Sequence, residues 1–108
     1  MRVKLFNRIW EVSFVPRPQT GPGKKLAKSN VLEENDRGEC DPPTAKNKTI
    51  RIANDLPPEE ELEVTIHEAL HACDWYKDEE WVEITARDIA KLLYRKLGWR
   101  RDPNRGDD

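Results

Sequence analysis

The chain has 108 residues, 36% of them hydrophobic and 37% charged, with a formal net charge of −2. That length holds one domain and leaves no room for a second independent core. No run of about 18 apolar residues exists to span a membrane, and Met1–Arg8 lacks the apolar stretch of a signal peptide, so the expected location is the cytoplasm.

The charge is unevenly spread. Residues 1–28 carry seven basic side chains and one acidic, and residues 29–90 carry six basic and seventeen acidic. A basic N-terminal arm can touch nucleic acid or an acidic protein, but Lys24, Lys25 and Lys28 equally suit a solvated loop. Cys40 and Cys73 lack C-x-x-C spacing and make no disulfide framework. They are expected to be reduced, partly buried thiols.

The first fifteen residues read as extended. Trp10, Val12 and Phe14 alternate with Glu11 and Ser13, and Val3 and Leu5 form a shorter run, so a hairpin turning near Asn7 is expected. Pro16, Pro18, Gly21, Pro22 and Gly23 then predict a mobile basic loop over about 16–30. Residues 31–47 are rich in turn formers, and a second strand is expected at Thr49–Ala53.

The second half is helical. Asp55 as a cap, prolines in the first turn and the run Glu59–Glu61 mark a helix start. Leu62, Ile66, Ala69, Leu70 and Cys73 recur at helical spacing as the expected core stripe. After a break at Tyr76–Asp78, Asp78 caps a second helix carrying Val82, Ala86, Ile89, Ala90, Leu93 and Leu97, which stops at Gly98. Strands followed by helices define an α+β layout. The expected domain is residues 1–98, with residues 99–108 as a disordered tail.

The only two histidines of the chain lie in His67-Glu68-Ala69-Leu70-His71, an H-E-x-x-H motif on the first helix. Four residues make about one helical turn, so both imidazoles project from one face and can grip one ion. Glu68 is rotated by about 100° from His67, where its carboxylate can take a proton from water beside the metal. The histidines fall off the expected core stripe, on its flank. A catalytic zinc wants three protein ligands, and without a third histidine the last one has to be a carboxylate. Asp74, Glu79, Glu80 and Glu83 are the candidates. Glu83 is favoured because it flanks the inward stripe of Val82, Ala86 and Ala90. Glu79 also reads as a helix-dipole carboxylate, and Asp74 as a residue that orients an imidazole.

The strand Thr49–Ile52, the acidic helix start, the H-E-x-x-H motif and a following helix with Glu83 together resemble a minimal zincin of gluzincin type (a minigluzincin). The chain is also similar to small H-E-x-x-H proteins of bacteriophages and prophages. The resemblance covers roughly residues 38–98. It implies a zincin-like α+β fold, a small N-terminal sheet followed by two packed helices, with an edge strand lining the substrate cleft. It implies zinc on His67, His71 and Glu83, with Glu68 as general base of a metallopeptidase acting on peptides or proteins. Ile50 and Ile52 are then expected on the substrate-binding edge strand, holding a peptide by strand addition. Tyr76 and Tyr94 are the only tyrosines available to stabilise an oxyanion, and packing is the commoner role of such residues. The alternative is a zinc-stabilised binding module that docks a protein or nucleic acid through its basic arm.

Overall fold

The structure is a computed structural model and describes residues 1–17 and 32–102. Most of the basic loop expected over 16–30, and residues 103–108 of the expected tail, lie outside the described residues. The chain runs through β1 (Arg2–Leu5), β2 (Arg8–Val15), β3 (Gly38–Cys40), β4 (Thr49–Ala53), α1 (Pro58–Cys73), α2 (Glu79–Lys91) and a π-helical turn (Leu92–Lys96). Four strands form one sheet with two helices packed beside it, a small α+β domain.

β1 and β2 form the expected antiparallel hairpin, closing on the pair Leu5↔Arg8. Phe6 and Asn7 make the turn with φ values of 47° and 65°. Two successive left-handed residues match the twist of a tight hairpin. Asn tolerates that conformation, whereas the exposed Phe6 carries backbone strain. β2 then pairs in parallel with β4, and β3 pairs antiparallel with β4, giving the order β1-β2-β4-β3.

This order corrects the placing of Ile50 and Ile52 on an edge. β4 is an interior strand, and the two side chains are 1% and 0% exposed in a core with Trp10, Val12, Val64 and Ala72. They hold the sheet to α1 and cannot line a substrate cleft. The edge on that side is β3. Its three residues, Gly38-Glu39-Cys40, are too few and too polar to show a strand period, so the segment reads as a turn.

α1 starts with Pro57 as its N-cap and Pro58 at the first helical position. Proline suits this place because its missing N–H would be unpaired there in any case. The expected capping role of Asp55 fails: its carboxylate instead accepts two hydrogen bonds from Arg17, at 3.0 and 3.1 Å. The stripe expected to be core is buried only at Leu62 and half-buried elsewhere. The more deeply buried line is Val64, Glu68 and Ala72, at four-residue spacing. α1 packs against the sheet as well as against α2, so it needs two inward faces rather than one.

Asp78 caps α2 as expected, its carboxylate accepting from the Trp81 N–H at 3.0 Å. Val82, Ala86 and Ala90 form the buried face of α2. The helix then widens into the π-helical turn, where the Leu97 N–H reaches the Leu92 carbonyl at 3.1 Å. Gly98, at φ 70°, ends it at the expected residue. The chain does not leave the domain there. The Arg101 guanidinium lies over the Phe14 ring at 4.4 Å and donates to Glu61 at 2.8 Å, so residues 99–102 pack back onto the domain. No helix among the described residues is long and apolar enough to cross a membrane.

Candidate metal centre

His67 and His71 stand one turn apart on α1, and their Nε2 atoms approach to 3.1 Å. The five residues after α1 reverse the chain, so that α2 begins beside them. Its first residue, Glu79, places Oε1 2.9 Å from His67 Nε2 and Oε2 2.9 Å from His71 Nε2. These three side chains form a group that can hold a metal ion. One donor atom from each of the three lies within 4.8 Å of the others, and the contacts of about 3 Å among them are close to the roughly 3.3 Å that separates ligands about 2.0–2.1 Å from a tetrahedral zinc.

The carboxylate brought to the histidines is therefore Glu79, where the helix stripe favoured Glu83. Glu83 is exposed one turn further along α2, about 6 Å of helix rise away. It remains near enough for its charge to act on His67. The length of the connection decides between the two: a short turn sets the start of α2, not its second turn, level with the imidazoles. Glu79 is one of the four candidates of the sequence, ranked below Glu83 because an N-terminal position also suits a helix-dipole carboxylate. Glu80 is exposed and outside the group, and Asp74 is the C-cap residue of α1, its N–H bonded to the Leu70 carbonyl at 2.9 Å.

Burial is the main effect on His67 and pulls its pKa down, against the opposing charge of Glu79. Lowering favours the neutral imidazole, the form that binds a metal. The ring of Trp75 meets His71 edge-on, with centroids 6.5 Å apart.

Glu68, next to His67 on α1, packs against Gly38 of β3 and is only 8% exposed. Burial pushes its pKa up to about 7, helped by the negative charges of Glu79, Glu39 and Asp36 and opposed by Arg37. β3 runs close beside it. A Cβ added at Gly38 would come 2.6 Å from Val64 Cγ1 and 3.0 Å from Glu68 Oε2. Glycine is thus required by the approach of β3 to the motif helix, a reason invisible in a turn-rich stretch of sequence. A cleft of about 140 Å³ opens here, lined by Arg37, Gly38, Glu63, Val64, His67 and Glu68.

Neither tyrosine lines this cleft. Tyr76 is 90% exposed, and Tyr94 lies beneath the Arg100 guanidinium at 3.7 Å. Cys40 and Cys73 are free and half-buried. Burial, with the Glu68 and Asp41 charges, pushes the Cys40 thiol up to about 12, so it stays protonated.

No protein-family model matches the chain, and no curated protein or solved structure matches it.

Proposed function

We propose that the protein is a zinc metallopeptidase of minimal zincin type, related to the minigluzincins and to small phage H-E-x-x-H proteins, and acting in the cytoplasm of the cell that makes it. The observation that carries this reading is the grouping of His67, His71 and Glu79, with the buried Glu68 lining the same cleft as His67. His67 and His71 would hold zinc through Nε2, and Glu79 would hold it through its carboxylate. Zinc bound there supplies Lewis acidity toward a peptide carbonyl and lowers the pKa of water toward neutrality. Glu68 accepts the proton of the attacking water and passes it to the leaving amine. Burial raises the proton affinity of this carboxyl group, the direction that helps it take a proton. Gly38 brings the edge strand β3 against Glu68, so an extended peptide added to that edge would pass the carboxylate.

The test is hydrolysis of casein by the zinc-loaded chain, with and without chelator, set beside Glu68→Gln. Cleavage should stop with chelator and fall by about 10²–10⁴-fold in the variant, which should still bind one equivalent of zinc. Wild-type activity in Glu68→Gln would remove Glu68 from the mechanism, and failure to take up zinc would remove the whole reading.

A second reading, a zinc-stabilised binding module, has one observation in its favour. A groove of about 460 Å³ away from the histidines is lined by Arg2, Lys46 and Lys48 along with Ile9 and Glu11. Chelator-induced unfolding without cleavage of any substrate would favour it.

A further inference from the structure

Glu63, His67 and His71 follow one another at four-residue spacing and stand in a row along one face of α1. Glu63 lines the same cleft as His67 and Glu68. It is half-buried, and its side chain makes no hydrogen bond or ion pair among the described residues. The cation in the cleft wall, Arg37, is already closed by Glu60 at 2.8 Å. Val64, 4% exposed, forms an apolar floor. Asp36 and Glu83 add negative charge that reaches Glu68 and His67 respectively. The cleft therefore combines an apolar base, two carboxylates that no guanidinium closes, Glu63 and Glu68, and an anionic surround. A ligand side chain that fills it well has an apolar stem and a cationic end, which describes lysine and arginine.

We propose that Glu63 is a specificity-determining residue that selects peptides carrying lysine or arginine within about two residues of the scissile bond. This rests on the peptidase reading and deepens it. The distance follows from the helix. Four residues of α1 separate Glu63 from His67, a rise of about 6 Å. An extended peptide advances roughly 3.3 Å per residue, so the carboxylate lies about two peptide residues from the reacting bond. Arginine can meet it with two parallel N–H bonds and lysine with one charge-assisted bond.

The experiment is cleavage of a mixed peptide library by the zinc-loaded full chain, with the cut positions mapped by mass spectrometry. Wild type should prefer lysine and arginine near the cut bond by about tenfold over acidic residues, the scale of a partly exposed ion pair. Glu63→Gln should lose that preference, and Glu63→Lys should reverse it, mainly through KM. The preference should also shrink as salt is raised. Cleavage without charge preference in wild type, or a cationic preference that survives in Glu63→Lys, overturns the role of Glu63 and leaves the peptidase standing. A wild type that cuts no member of the library overturns the peptidase reading, and this inference with it.

Discussion

At the start of α1, Glu59, Glu60 and Glu61 are each closed by an arginine from another part of the chain. Arg95 reaches Glu59 at 2.7 Å, Arg37 reaches Glu60 at 2.8 Å and Arg101 reaches Glu61 at 2.8 Å. Beside the later turns of the same helix, Glu68 of α1 and Glu79 at the start of α2 have no such partner among the described residues. Glu79 faces two imidazoles, and Glu68 is buried against a glycine strand. Guanidinium groups keep their charge at any accessible pH and tie surface elements together. Imidazoles can shed their protons and pass the carboxylate to a metal. The same residue type thus fastens one end of the helix and, beside the other, meets imidazoles in place of guanidinium groups.

The largest expected effect lies at the open end. Glu79→Ala should weaken zinc binding by more than the ~10–100-fold typical of losing an outer partner, whereas Glu83→Ala should weaken it by less than about tenfold. Competition titration with a zinc indicator reads both. Equal losses would place Glu83 on the metal as well and erase the distinction between the two turns of α2.

The next effect is on stability in the metal-free protein. The Glu68 carboxyl is raised from 4.5 to about 7 in the folded state. Below 4.5 it is protonated whether the chain is folded or not. Between these values the folded state keeps a proton that the unfolded state gives up, and above about 7 an ionised carboxylate has to stay buried. Its contribution to stability is therefore fully present at low pH and is lost as pH rises through about 7, by roughly 3 kcal/mol across that window. Urea melts at several pH values should show the decline in wild type and a flatter profile in Glu68→Gln. Parallel profiles would mean that Glu68 is more hydrated than its burial implies.

The smallest effect belongs to the fastened end. Arg95→Ala should lower Tm slightly in low salt and not at all in high salt, because an exposed pair contributes little and is screened. It should leave zinc binding unchanged. A change in zinc affinity would show that the two ends of α1 are coupled.

Much of this architecture was legible from residue pattern alone. The hairpin at Asn7, the strand at Thr49–Ala53, the cap at Asp78 and the stop at Gly98 all rest on local signals. Alternation, a capping carboxylate and a left-handed glycine act within a few residues, so a linear reading finds them. The pairing of His67 with His71 belongs to the same group, because one helical turn brings them together without help from the rest of the chain.

What only the tertiary structure decided depends on separate segments meeting. Asp55 looks like a cap until Arg17 arrives to claim it. Ile50 and Ile52 look like an edge until the short β3 adds itself outside them. Glu79 looks like a dipole carboxylate until the turn before α2 sets it against the imidazoles. Gly38 has no visible purpose until Val64 and Glu68 leave no room for a side chain. By itself the sequence determined which residues could carry the chemistry, because donor types and helical spacing are local properties. Which carboxylate meets the histidines, and which strand borders the motif helix, followed from packing between α1, α2 and the sheet.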